Sequence, residues 1–182
     1  IGESNEVNTE WYSRGGESSY GLSYHNCQPG SVGIEFGIIQ GNGDSDQTFS
    51  ILNPVFELET VPGSSHTESS EKYIGVLYVA DTGSIRPYVG AGFTWIEAEA
   101  DYSYAGGGTY NLTGDGSGSG KTKGYYLHTG VNLVLDGNMT LGLDYRMVMG
   151  TEDIAFYDAG DFVGDGAGMD SNTFSIILGF GF

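Results

Sequence analysis

Five ionisable residues, Glu35, Arg86, His128, Asp144 and Arg146, fall at polar positions inside segments that otherwise alternate large apolar with small side chains. A charge in such surroundings needs a partner, because an unpaired buried charge is costly while a paired, hydrogen-bonded one is tolerated. Two acids, two arginines and a histidine balance in sign. The expected chemistry is therefore a structural charge network, with gating or ligand binding as the alternative, and His128 reads as a satisfied interior residue rather than a proton switch.

Other groupings promise less. Asp and Gly recur together around Asp44 and Asp46, around Asp115, and from Asp161 through Asp165 to Asp170. Calcium favours several carboxylate and carbonyl oxygens, so these loops are candidate cation sites, although no EF-hand or nine-residue calcium spacing is present. The run Asp115-Gly116-Ser117-Gly118-Ser119-Gly120-Lys121-Thr122 looks like a phosphate-binding loop, but Asp115 stands where the first glycine belongs and no helix follows, so a flexible surface loop is expected. His25, His66 and His128 lack paired zinc-ligand spacing, and no catalytic constellation is visible, so the chain is not expected to be an enzyme. Apart from calcium at the acidic loops, no cofactor is expected.

The elements that must position these residues are strands. Val32, Ile34, Phe36 and Ile38 oppose Gly33, Glu35 and Gly37, and Lys72 to Ala80 is apolar on both faces. Val89, Ala91, Phe93 and Trp95 oppose Arg86, Tyr88, Gly90, Gly92 and Thr94. Tyr125 to Leu135 and Met139 to Met149 repeat the pattern around Asp136-Gly137-Asn138, a tight-turn signal. Each strand is long enough to cross a bilayer when tilted, which takes roughly 9 to 11 residues. The last nine residues put Phe174, Ile176, Leu178, Phe180 and Phe182 on one face and Ser175, Gly179 and Gly181 on the other, with only Ile177 breaking the rule. Such a face needs a protein core or lipid, and its terminal phenylalanine reads as a membrane-insertion signal.

Composition agrees. There are 32 glycines and 13 tyrosines but 4 prolines and 1 cysteine, which suits a sheet protein with crowded faces and interfacial aromatics. Twenty-four acidic residues against 6 basic ones leave a net charge of −18, so attraction to nucleic acid or to an anionic membrane surface is not expected, and a cationic partner or a divalent ion is the natural complement. Cys27 in Asn26-Cys27-Gln28-Pro29-Gly30 excludes an intrachain disulfide and reads as a free thiol at a strand end, with intermolecular pairing as the alternative. No stretch reaches the roughly 18 apolar residues of a membrane helix, and the first residues carry no secretory signal, so an exported chain would be in its mature form. Asn111-Leu112-Thr113 and Asn138-Met139-Thr140 match a glycosylation acceptor pattern.

Ile85-Arg86-Pro87-Tyr88-Val89-Gly90-Ala91-Gly92-Phe93 resembles the "RPYVGAG" strand of small outer-membrane barrels of the OmpW and opacity-protein type. Tyr20 to Tyr24 and Val32 to Phe36 look like the second and third strands of such a barrel, and Phe174 to Phe182 like its last. The resemblance implies a hydrophobic pocket with lateral escape of small apolar molecules into the membrane.

The expected architecture is one all-β domain over 1–182, an antiparallel up-and-down barrel of about eight strands. Long loops are expected at about 41–71, 100–122 and 151–171, with Phe49 to Val61 forming an extra hairpin or extending the wall. Residues 1–16 would be a weakly encoded first strand or an N-terminal extension. The expected location is a bacterial outer membrane, in contact with the lipid bilayer. Two functions stay open: a narrow channel or pocket passing small hydrophobic molecules, or a non-transport anchor whose acidic loops bind a cation, a protein partner or another copy. A soluble barrel or sandwich around a small ligand is a third, weaker reading.

Overall fold

The computed structural model describes the backbone of residues 5–14, 17–52, 58–106, 111, 113–135, 138–152, 155–158, 161–165 and 169–181. Side chains are described within 18–46, 60–106, 111, 113–135, 138–152 and 169–181. Ten strands appear: β1 (Asn5–Arg14), β2 (Glu17–Asn26), β3 (Ser31–Leu52), β4 (Leu58–Val79), β5 (Ile85–Ala105), β6 (Thr113–Val134), β7 (Met139–Met149), β8 (Ala155–Asp158), β9 (Asp161–Asp165) and β10 (Ser171–Gly181). Each of β1 to β6 pairs antiparallel with its successor, β7 pairs with β10, and β10 pairs with β1. The ring closes with eight strands, and β8 and β9 form a hairpin attached to β6 through Ser119 and Tyr157.

Closure fixes a tilt. Followed sideways, the pairing runs Glu6, His25, Glu35, Gly75, Gly92, Tyr126, Val148, Ser171, whereas Glu6 itself faces Gly181 on β10. The walk around the ring thus returns ten positions along the last strand, the stagger a small barrel needs, with strands inclined at about 35–45°.

The two faces sort by chemistry. On β5 the outward set is Ile85, Pro87, Val89, Ala91, Phe93 and Trp95, and beyond Trp95 it turns to Glu97, Glu99 and Asp101. The same break follows Ile38 on β3, Ile74 on β4 and Tyr125 on β6. Eleven residues at about 3.3 Å each, tilted, make a belt about 25 Å tall, the height of an outer-membrane hydrocarbon band. Leu143 is 61% exposed in its middle, and Phe174 is 72% exposed. Inward, two apolar layers bracket a polar one. Cys27, Leu77, Val79, Tyr88 and Ile177 pack near the short turns, and Ile39, Tyr73, Ile96, Tyr126 and Val148 pack on the other side. Ile177, the break in the terminal alternation, is a core residue of the first layer.

Tight turns collect at one end. Gly30 and Gly83 occupy the left-handed region at φ 80° and 85°, which lets the chain reverse between β2 and β3 and between β4 and β5. Leu135 N–H donates to the Met139 carbonyl at 2.9 Å beside the predicted turn at Asp136 and Gly137, both of which lie outside the described residues. Cys27 is buried at this end, with its thiol 3.2 Å from the Ser31 carbonyl, so an intermolecular disulfide has no access to it.

Of the two readings of residues 1–16, the described part is the weakly encoded first strand: Asn5–Arg14 pairs with both β2 and β10, and main-chain pairing on two sides holds a strand whose side-chain pattern is weak. Two other expectations need correcting. Most of 41–71 and 100–122 is strand, not loop: β3, β4, β5 and β6 run 22, 22, 21 and 22 residues, twice the 10 or 11 of β1, β2, β7 and β10. The phosphate-loop look-alike is likewise part of β6, where Gly114 and Gly116 sit opposite Tyr104 and Tyr102 and make room for those rings.

Candidate functional site

At mid-height the lumen holds a chain of hydrogen bonds contributed by several strands. His128 on β6 has Nδ1 3.0 Å from Asp144 Oδ1 and Nε2 3.0 Å from Glu35 Oε1. Each carboxylate also accepts from a tyrosine at 2.7 Å, Glu35 from Tyr126 Oη and Asp144 from Tyr88 Oη. All of these side chains are buried. A neutral imidazole donates from only one nitrogen, so two flanking carboxyls require one further proton shared within the group.

Next to this chain lies a second pair. Arg146 Nη2 donates to Glu71 Oε1 at 2.6 Å, and Thr94 Oγ1 donates to the same oxygen at 2.7 Å. The guanidinium is sandwiched, 4.2 Å from the Tyr73 ring centroid and 3.9 Å from that of Tyr126, so it gains cation–π contact from both rings. Tyr126 therefore joins the two groups: its hydroxyl serves Glu35 and its ring covers Arg146.

The structure brings together four of the five predicted residues: Glu35, His128, Asp144 and Arg146. Arg86 lies elsewhere. Second in β5, it stands at the turn end, where its Nε donates to the Gly83 carbonyl at 3.2 Å, and it makes no ion pair among the described residues. Glu71 takes the place expected of it, so the described interior holds three carboxylates against one arginine and two histidines, His25 and His128. Glu71 was hidden because its strand was read as beginning at Lys72. One more step of the inward series Tyr73, Leu77, Val79 finds it.

Among the described residues the centre of the interior is closely packed. The void lined by Ser23, His25, Glu35, Leu77, Tyr88, His128, Asn132 and Ile177 is about 10 Å³, the space of one water.

Of the predicted cation-binding carboxylates, Asp44 and Asp46 lie on the outer half of β3 and Asp115 on that of β6, beyond the apolar belt. Asp44 Oδ1 is 2.7 Å from His66 Nδ1, and His66 Nε2 is 3.5 Å from Glu68 Oε1. These bonds raise the His66 pKa above its ordinary value, with Asp44 the larger cause. A cavity of about 490 Å³ beside His66 is lined by Asp101, Tyr102 and Asp115 among others. Asp170 accepts from the Thr151 amide and hydroxyl at 2.9 and 2.7 Å, and Asp46 is exposed. The side chains of Asp161 and Asp165 lie outside the described residues, as does Phe182. Among the described residues no three His, Cys, Asp or Glu are grouped to hold a metal ion.

No family model matches the chain, and no curated protein matches it. Solved structures do. The chain resembles the N-terminal β-barrel domain of Pseudomonas aeruginosa OprF at 14% identity and TM-score 0.56, covering 99% of this chain and 98% of that one. The fold is that of a small outer-membrane β-barrel. A major outer membrane protein from Thermus thermophilus is similar at 12% identity and TM-score 0.57, with 100% of each chain covered. Ail of Yersinia pestis, in complex with a heparin analogue, is similar at 9% identity and TM-score 0.52, again over 100% of each. These likenesses carry the architecture, and they support the outer-membrane barrel resemblance in general rather than the OmpW type in particular.

Proposed function

We propose that this protein is a bacterial outer-membrane barrel that anchors a surface-binding sheet and does not itself conduct solutes. The observation that carries this reading is the close packing of the described lumen side chains. Between two apolar layers, the bonded groups Tyr126, Glu35, His128, Asp144, Tyr88 and Glu71, Arg146, Thr94 leave a void the size of one water. An eight-stranded barrel is just wide enough for its side chains to fill it.

The binding surface would be the outer half of β3 to β6, which stands beyond the apolar belt on the side opposite the tight turns. Its carboxylates include Asp44, Asp46, Glu68, Glu97, Glu99, Asp101 and Asp115, which suits a cationic protein surface or a divalent ion. Long connections face outward in outer-membrane barrels, so this half would lie outside the cell. The test is electrical and chemical together. Reconstituted protein should give no conductance steps in planar bilayers and no uptake of a small apolar solute above that of empty liposomes. Steps, or uptake that exceeds the empty control, would overturn the anchor reading in favour of passage.

A further inference from the structure

The chain has three lysines, Lys72, Lys121 and Lys123, among 24 acidic residues, and all three occupy one spot. They sit on the outward face of β4 and β6, on either side of β5, at the outer edge of the apolar belt. Lys72 on β4 and Lys123 on β6 are the direct cross-strand neighbours of Trp95 on β5, one on each side. Lys121 is the neighbour of Glu97, one outward position further along. Ile38 on β3 continues this row beside Lys72, and the next row toward the belt is Phe36, Ile74, Phe93 and Tyr125, all exposed.

Among the described residues, Glu97 takes Lys121 at 3.0 Å and stands 4.0 Å from Lys72, and Lys123 has no carboxylate within ion-pair distance. Three lysines thus share one paired carboxylate among the described residues, and Lys72 is 57% and Lys121 76% exposed. The patch is the opposite of the surface around it. Charge alone would suit any anion, but its position selects an amphiphile: the anionic part would meet the lysines while the hydrocarbon lay along the belt directly below. Trp95, half exposed between two lysines, is a side chain suited to such a boundary.

We propose that Lys72, Trp95, Lys121 and Lys123 bind the phosphorylated headgroup of a glycolipid of the outer leaflet. The lysines flanking Trp95 are two strand spacings apart, about 10 Å, which lets one headgroup bearing two phosphates engage both. The site rests on the reading above that the barrel spans the outer membrane with its extended sheet outside.

The experiment places the full chain in zwitterionic phosphatidylcholine nanodiscs and titrates in diphosphorylated lipid A, its dephosphorylated form, or phosphatidylglycerol, with inorganic phosphate as a separate arm. Bound lipid is counted by native mass spectrometry. Diphosphorylated lipid A should bind about tenfold more tightly than the other three, and K72Q/K121Q/K123Q should lose that preference while R86Q, at the far rim, keeps it. Equal binding of the dephosphorylated lipid, equal binding of phosphatidylglycerol, tight binding of free phosphate, or a preference that survives in the triple variant would each overturn the site. Insertion is read separately from the shift in gel mobility on heating. A wild-type chain that fails to insert overturns the membrane placement and this site with it, whereas insertion without preference overturns the site alone.

Discussion

Arg146 is held by one carboxylate and two rings. It meets Glu71 Oε1 at 2.6 Å and lies between the rings of Tyr73 and Tyr126. Removing one member of a buried pair strands the other, at a cost of about 3–5 kcal/mol, whereas replacing both with apolar groups is often neutral. R146M should therefore lower the unfolding midpoint sharply and E71L/R146M should recover most of the loss, as read by the fraction retaining folded gel mobility along a urea series. Equal loss in the single and double variants would show that the pair is not coupled. At this scale the sequence is informative about register and silent about partners. Glu35, His128, Asp144 and Arg146 all fall on inward positions that alternation marks. Arg86 falls on one too, yet two residues into its strand it reaches the turn carbonyl of Gly83 and not the interior.

Among the elements, β4, β5 and β6 show how small residues build the wall. Gly75 and Gly92 are paired across β4 and β5, and Gly92 faces Tyr126 on β6. A Cβ on either glycine would run into the Tyr126 side chain and into the carbonyl of Ala91 or Ile74. G92A should accordingly destabilise the barrel by about 1–3 kcal/mol, the cost of overpacking, seen as an earlier midpoint in the same urea series. The outer hairpin of β3 and β4 responds to pH through His66. Its pKa is raised in the folded chain by Asp44 and Glu68, so the added stability is present in full below the ordinary value of about 6.5 and is lost as pH rises through the raised folded value. Amide exchange, corrected for its intrinsic pH dependence, should show the Asp44 to Glu68 segment better protected at pH 6 than at pH 9, and H66Q should remove the difference. The reach of this outer sheet was only partly legible. Serine, glycine and acids read as loop by composition, although on β6 Gly114, Gly116, Gly118 and Gly120 alternate with Asp115, Ser117, Ser119 and Lys121 at the strand period.

For the whole molecule the decisive property is an apolar exterior around a polar middle. L143R, in the centre of the belt, should cost about 2–4 kcal/mol in a bilayer, while Q40K, just beyond the belt's edge, should cost close to nothing; folding yields in lipid vesicles measure both. The wild-type chain should also depend on detergent to stay monodisperse, and a chain that remains so without it would not belong in a membrane.

By itself the sequence determined which side of each crossing strand is apolar, because a period of two assigns every residue to one of two faces without reference to anything distant. From that came the barrel class and the terminal strand. Only the tertiary structure decided what the inner faces do. Glu35 meets His128 across 93 residues and Glu71 meets Arg146 across 75, and those meetings depend on how many strands close the ring and on its ten-residue stagger. The register of two consecutive strand pairs gathered three lysines from β4 and β6 around Trp95 on β5. The lumen contacts are not encoded locally, because tilt and stagger are properties of the closed ring and not of any one strand.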